Sequence, residues 1–475
     1  MQITIIFIYI RILIKNLTYM YTLRDYQTQA VEDALKFIDS KEGRASLLVL
    51  PTGAGKSLII ANIAKELSQP VLVIQPSKEL LIQNYDKYKS YGLDAAIYSA
   101  SMGIKEVGNV TFATPQSIAK HHPLVRKKNI KLVIVDEAHY GSSFGQTLDT
   151  FCKKAGVEKI IGLTATPVLL ANGMFGSELR MLNRTKKSIY QNILHVTQID
   201  DLCKSGYWTE LKYDPIKTDT KELRLNSSGS EFLEESVKKY YAANEMNDKI
   251  KSACDELIDE GRKHILCFVS LVDEAKELQT KMKGYSTVIY GDMPKLQREE
   301  AIDDFRSGRV KIAINVNVLG TGFDFPELDG CVHARPTSSI GIYYQHLGRL
   351  VRTHENKKDA KVIDLSSNYF RFGKLENIKF EISKDANGWC MRSGNKILTV
   401  FSRPDVEVDY KPKLRKEVQN INTYTIPFGK YKDKKVTEVP LSYLKWIASD
   451  EFSGDYSKAA QFKTAAKIRL AIESA

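Results

Sequence analysis

Two tandem α/β domains followed by a small α+β module are what this sequence predicts, on three observations. An apolar strand, a glycine loop and an apolar-periodic helix succeed one another early in the chain. A second series of strand and helix patterns starts at Ile265, and the composition shifts near Thr423, where lysines and aromatics interleave. At 475 residues the chain is too long for one ordinary core. The expected boundaries are 20–204 for the first domain, 205–371 for the second, 372–422 for a strand-rich segment and charged linker, and 423–475 for the module.

The chain opens with MQITIIFIYIRILIKNLTYM, an apolar run short of a membrane span, broken by Arg11 and Lys15 and without a small-residue cleavage site. For residues 1–19 the expectation is a start called too early, with Met20 as the true first residue. A disordered, membrane-binding or partner-binding tail is the alternative.

The run ASLLVL leads into LPTGAGKS, Leu50 to Ser57, and then into the helical pattern LIIANIAKEL. Strand, glycine loop and helix in that order let the backbone of Thr52, Gly53, Ala54 and Gly55 turn N–H groups around phosphates. Lys56 supplies a charge for the β- and γ-phosphates and the Ser57 hydroxyl suits Mg2+. The pattern GxxxxGK[ST] fails at its first position, which is Leu50.

Further on, KLVIV is continuously apolar, as befits a parallel strand covered on both faces, and delivers VDEAH, Val135 to His139, at its carboxyl edge. That edge is where doubly wound sheets hold ligands. Asp136 is expected to hold Mg2+ and Glu137 to take a proton from water attacking phosphorus. An isolated acidic pair after a strand is ordinarily a solvated loop. With the phosphate loop upstream, a site that binds and hydrolyses a nucleoside triphosphate is the better explanation.

Other segments complete an ordered series: LRDYQTQAV from Leu23, VLVIQPSKELLIQN from Val71, FATPQS from Phe112, GLTATP from Gly162, ILCFVS from Ile265, NVNVLGTGFDFP from Asn315 and YQHLGRLVR from Tyr344. From about Thr22 to Ser367 this series resembles the superfamily 2 helicases and translocases of DEAH-box type. The stretches PSKELLIQN, SELRMLNRT and SGYWTELKYDP look most like bacteriophage-encoded members. The resemblance implies two RecA-like P-loop domains with ATP and Mg2+ in the cleft between them.

It also implies roles for individual residues. Gln27 matches the glutamine that reads adenine. His139, Thr164 and Thr166 match positions coupling the nucleotide site to the nucleic-acid track. Gln345, Gly348, Arg349 and Arg352 match the last motif, and the two arginines, three apart, are expected to share one helix face and meet γ-phosphate charge. Gly320, Thr321 and Gly322 form a strand-end loop, with Gly322 near the nucleotide and Thr321 near nucleic acid, and Asp324 matches a carboxylate near the ribose. SGSEFLEESVKKYYAANEMNDK is expected to form an early helix of the second domain.

Lysine and arginine number 69 against 57 acidic residues, a net charge of +12 that favours a polyanionic partner without separating DNA from RNA. Within the resemblance, the track is expected along Gln75, Pro76, Ser77 and Lys78, Thr114 and Gln116, Ser270 and Thr321, through backbone phosphates and with little base preference. Arg180, Arg184, Lys186 and Lys187 in RMLNRTKKSIY either extend it or form a solvated basic loop.

The segment after Arg371 carries no catalytic pattern, and Asp405 and Asp409 stand too close for a nuclease core. The last segment, beginning YTIPFGKYKDKK, resembles the small PFGKYKGK-type module of exonuclease X-like proteins. Its Lys430, Lys432, Lys434 and Lys435 suit nucleic acid. Tyr431, Tyr443 and Trp446 suit either base stacking or the module's own core, with the core favoured for Tyr443 and Trp446. The six cysteines show no metal or disulfide spacing, as in a cytoplasmic protein, of the host cell if phage-encoded.

The leading expectation is an ATP-dependent DNA helicase or translocase in phage replication, recombination or repair. It would act on single-stranded, forked or branched DNA, with phage replication or recombination proteins as candidate partners and no membrane. An RNA helicase or a restriction-type motor without strand separation is the alternative.

Overall fold

The computed structural model describes residues 22–399 apart from 174–175, 186–188, 227–228, 321–322, 385 and 387, and, beyond them, 425–426, 429–448, 465–466 and 469–470. The tail at 1–19, most of the linker with Asp405 and Asp409, and Lys186, Lys187, Thr321 and Gly322 lie outside the described residues. The chain divides into two compact units, Met1–Val408 and Asp409–Ala475.

In the first unit, helix α1 (Asp25–Asp39) precedes strand β1 (Ala45–Val49) and helix α2 (Lys56–Glu66), followed by β2 (Val71–Ile74) and α3 (Lys78–Lys89). Strands β3 (Ala96–Ser99), β4 (Ile104–Lys105) and β5 (Val110–Ala113), short helices α4 (Pro115–Ile118) and α5 (His122–Lys127), β6 (Leu132–Val135), α6 (Gly141–Ala155) and β7 (Lys159–Thr164) continue the fold. A hairpin of β8 (Val168–Gly173) and β9 (Gly176–Met181) precedes β10 (Asn192–Val196) and α7 (Ile199–Lys204). The sheet runs β10-β1-β7-β6-β2-β5-β3-β4, parallel except for β4. Strands β1, β2 and β6 are buried along their whole length, so their apolar runs are the core.

A second parallel sheet follows: β11 (Glu210–Pro215), α8 (Glu234–Ala243), α9 (Met246–Asp259), β12 (Ile265–Phe268), α10 (Val272–Lys281), β13 (Ser286–Tyr290), α11 (Lys295–Arg306), β14 (Ile312–Val316), β15 (Gly330–His333), α12 (Ile340–Leu347), β16 (Asp359–Asp364) and α13 (Asn368–Phe372). Its order is β11-β16-β15-β12-β14-β13. The charged stretch expected as one helix is two, because Glu245 turns left-handed at φ 51° between α8 and α9. Two tandem RecA-like α/β domains are thus present.

An antiparallel sheet of β17 (Ile378–Ser383), β18 (Gly388–Ser393) and β19 (Lys396–Ile397) follows. It docks on the first domain, where the Gln198 side chain donates to the Phe380 carbonyl at 2.7 Å and accepts from its N–H at 3.1 Å.

The second unit has its own small core of Ile426, Val436, Val439, Leu444 and Ile447 around helix α14 (Leu441–Ala448). Trp446 is 45% exposed and Tyr443 only partly buried, so the expected core role fails for Trp446: it sits on the outer side of an eight-residue helix whose inner side is filled by Leu444 and Ile447. Among the described residues, no helix is long and apolar enough to cross a membrane.

Candidate active site in the cleft between the two sheets

Strands β1, β7 and β6 are neighbours, so the loops at their carboxyl ends emerge side by side. These loops carry Lys56, Thr164 and the Asp136–Glu137 pair. Leu50, where the strict motif has glycine, is fully buried and continues β1 by donating its N–H to the Thr164 carbonyl at 2.9 Å. Gly53 and Gly55 have φ of 80° and 77°, so the chain turns in a region that side chains disfavour. A Cβ on Gly55 would lie 2.4 Å from Gln27 Nε2. The loop therefore has the left-handed glycines and the helix-head lysine that an anion site requires.

Lys56 begins α2 and reaches Glu137 Oε1 at 3.3 Å. Glu137 is itself left-handed, at φ 48°, which turns its side chain back toward the loop. Its Oε2 lies 3.4 Å from His139 Nδ1. Burial alone would raise the Glu137 carboxyl, but Lys56, His139 and Arg349 outweigh it and hold the group below the usual range. For Asp136 burial wins: with the Glu137 charge beside it, the carboxyl is pushed up to about 6. Asp136 accepts from the Glu137 N–H and from Asn84 Nδ2, both at 2.9 Å. Two adjacent carboxylates are thus driven apart in proton affinity, as a division of labour requires.

His139 is enclosed, and burial lowers its affinity for a proton. The Gln345 amide donates to Nε2 at 2.9 Å, which places the ring proton on Nδ1, donated to Thr164 Oγ1 at 2.8 Å. Thr164 Oγ1 also accepts the Thr166 N–H at 3.0 Å. A continuous chain of hydrogen bonds therefore runs from the second domain into the strand end beside the acid pair.

The two walls touch. A Cβ on Gly348 would lie 2.7 Å from Thr52 Cβ, and one on Gly53 would meet Arg352 Cγ at 3.6 Å and Trp208 Nε1 at 3.8 Å. Arg349 and Arg352 do not share a helix face: α12 ends at Leu347 and both arginines lie beyond it, past Gly348, which lies against Thr52. Arg349 is buried and donates to the carbonyls of Gly320 at 3.2 Å and Phe323 at 3.1 Å. Burial, then Arg352, lowers it to about 10, which leaves it charged at neutral pH. Arg352 is paired with Asp324, so that carboxylate faces a guanidinium here.

Other candidate residues fall in different places. The Gln27 amide is 3% exposed and engaged, donating to the Ala54 carbonyl at 2.8 Å and accepting the Arg24 N–H at 2.9 Å. Ser57 follows Lys56 in α2. Pro76, Ser77 and Lys78 are half-buried at the head of α3, where the Ser77 hydroxyl accepts the Leu80 N–H at 3.3 Å. Gln75 is fully buried, with its N–H donating to the Ala113 carbonyl at 2.9 Å just past β2, and both polar atoms of its side chain lie buried without a hydrogen-bond partner. Thr114 is also buried, with its hydroxyl on Ser117, whereas Gln116 is exposed and Ser270 half-buried. Arg180 pairs with Glu178, and Arg184 is exposed and donates through one guanidinium nitrogen to the carbonyls of Ala386 and Trp389.

Two residues here carried no assigned role. Asn84 lay within a quoted motif but gave no sign that its amide turns inward. Trp208 lay in the interdomain stretch, where nothing in the sequence places its indole against the phosphate loop.

Comparison with known proteins fits this geometry. The family described as "Type III restriction enzyme, res subunit" matches residues 20–169, and "Helicase conserved C-terminal domain" matches 248–354. A third description, "Putative quorum-sensing-regulated virulence factor", matches 415–459. "Putative ATP-dependent helicase IRC3" of Saccharomyces cerevisiae is 24% identical over 362 residues, covering 72% of this chain and 51% of its own length. The "51.5 kDa protein" of a Lactococcus phage is 24% identical over 75% of this chain and 73% of its own. The chain thus spans about half the length of IRC3.

The solved fragment of "a putative HsdR subunit of a type I restriction enzyme" from Vibrio vulnificus YJ016 shares the fold, with a TM-score of 0.56 and 17% identity. That match covers 75% of this chain and 67% of that one. Both helicase-domain descriptions match in chain order, the two sheets close on one phosphate loop, and together with the helicase relatives these findings support a superfamily 2 helicase.

Proposed function

We propose that the chain is an ATP-dependent DNA helicase or translocase of DEAH-box type, acting in bacteriophage replication, recombination or repair. The observation that carries this is the hydrogen-bond chain Gln345–His139–Thr164 beside the Lys56–Glu137 pair. A simple hydrolase needs the pair alone. Only a machine that converts hydrolysis into domain movement needs the pair wired to the opposite wall.

The glycine loop and Lys56 bind the phosphates, and Glu137, held ionised, takes the proton of the attacking water. Arg349 and Arg352 approach from the other wall, where guanidinium charge favours the transition state. Gln27 braces the loop from behind through Ala54. Magnesium fits the donors present, a Ser57 hydroxyl and the Asp136 carboxylate, because this ion takes one or two protein oxygens and leaves the rest of its shell to phosphates and water. When bound it neutralises phosphate charge. The Asn84 amide orients Asp136 for that task.

DNA is favoured over RNA by the match of the first domain to a restriction-enzyme subunit, and the phage setting by a phage relative matched over most of its length. The same restriction-type match supports a second possibility, a duplex-tracking motor that separates no strands.

ATPase rates with duplex, forked, four-way-junction and single-stranded DNA and with RNA, run beside strand-displacement gels, test these claims. Stimulation by DNA with displacement is expected. Stimulation by RNA alone would overturn the proposal, and DNA stimulation without displacement would favour the second possibility.

A further inference from the structure

Trp208 occupies a place that packing alone does not explain. It is 6% exposed, yet its indole Nε1 is buried without a hydrogen-bond partner. Leaving a buried donor unpaired is costly, so native proteins seldom leave one without a use.

The nitrogen faces the phosphate loop: a Cβ built on Gly53 would stand 3.8 Å from it. The residue is also held rigidly. Trp208 pairs with Arg352 in an antiparallel bridge, and its own N–H donates to the Leu202 carbonyl at 3.2 Å. The next residue, Thr209, donates its N–H to the Val351 carbonyl at 2.7 Å and its hydroxyl to the Arg352 carbonyl at 2.9 Å. Trp208 is therefore held between α7 of the first domain and the arginine-bearing loop of the second, with the only polar atom of its side chain beside the glycine loop.

We propose that Trp208 is a nucleotide-binding residue, whose indole N–H donates to a phosphate oxygen of a nucleoside triphosphate seated on the Gly53–Ser57 loop. A neutral donor supplies a directed hydrogen bond beside the cationic groups Lys56 and Arg352 without adding to their mutual repulsion. Trp208 is bonded both to α7 of the first domain and to the arginine loop, so the donor stands at the seam where the two walls meet. This inference rests on the proposed nucleotide binding.

The test replaces the indole at 208 in the full chain by benzothienyl-alanine, which keeps the ring's shape and exchanges N–H for sulfur, with Trp208→Phe as a second variant. Calorimetry follows Mg2+ with ATP, with ADP and with adenosine. Both variants should bind ATP about 10-fold more weakly than the parent and adenosine equally well, and the benzothienyl variant, which no longer buries an unpaired donor, should melt no lower than the parent. Parent-like ATP affinity in the benzothienyl variant would overturn the assignment. Equal weakening of adenosine would also overturn it, by showing a packing role. A parent protein that binds no ATP would instead sink the underlying proposal of a nucleotide site.

Discussion

Gln345 of the second domain donates to His139 of the first across 2.9 Å, and both side chains are enclosed. The imidazole is thereby fixed in one tautomer and spends its proton on Thr164. If this contact carries the domain coupling, His139→Ala and Gln345→Ala should each lower nucleic-acid-stimulated ATPase while sparing nucleotide binding. The double variant should lose little more than either single one. A non-additivity of about 1 kcal/mol or more in a double-mutant cycle is the expected result, and simple additivity would show that the contact transmits nothing.

Asn84 holds Asp136 Oδ2 at 2.9 Å, and both groups are buried. Removing a residue that orients a metal-binding carboxylate commonly costs about 10–100-fold in metal affinity or activity. Asn84→Ala should accordingly raise the Mg2+ concentration needed for half-maximal turnover by that range, with ATP saturating. An unchanged Mg2+ requirement would reduce Asn84 to a packing residue.

The parts of the site that are local in chemistry were legible in the sequence. Gly53, Gly55 and Lys56 must stand within a few residues of one another for the loop to turn and bear charge, and a fully buried strand such as β6 must be apolar throughout, so both announce themselves. Residues whose roles depend on contacts between domains did not. A spacing of three puts Arg349 and Arg352 on one helix face, but helical periodicity holds only while the helix lasts, and α12 stops at Leu347. Gln75 is expected beside the track with Pro76, Ser77 and Lys78, and nothing local reveals that its side chain is fully buried. Trp208 was silent for the same reason.

Glu137 is held ionised by Lys56, His139 and Arg349 against the effect of burial. Glu137→Gln keeps shape and removes the base. Turnover should fall by about 10²–10⁴-fold while ATP still binds, which filter binding beside a steady-state assay would show. Retained hydrolysis would dismiss Glu137 as the base.

Two buried histidines give the second domain an acid limit. His333 Nε2 and His346 Nδ1 are 3.0 Å apart, and His346 stacks on Phe268 at 3.9 Å. Burial lowers His333 to about 3 and His346 well below its ordinary 6.5. Folded, both stay neutral; unfolded, both take protons below pH 6.5. Their stabilising contribution is therefore complete above that pH and is lost as pH falls through it, at up to about 1.4 kcal/mol per pH unit for each. Urea midpoints between pH 7 and 5 should fall steeply in the parent and about half as steeply, from this source, in His346→Gln. Identical slopes would refute the assignment.

Gly348 decides whether the cleft can close. A methyl group there would stand 2.7 Å from Thr52 Cβ and 2.9 Å from its Cγ2, distances that require backbone movement rather than a rotamer change. At φ −60° the alanine backbone itself is unstrained, so folding should survive. Gly348→Ala should thus melt like the parent and bind nucleotide on the first domain, because the phosphate loop is intact. Yet it should hydrolyse ATP at least about 100-fold more slowly, since a 1 Å misplacement of the arginine wall is enough for such a loss. Small-angle scattering would separate the causes: a larger radius of gyration than the parent marks a cleft held open, whereas parent-like dimensions with full activity would mean that the contact between Gly348 and Thr52 is dispensable.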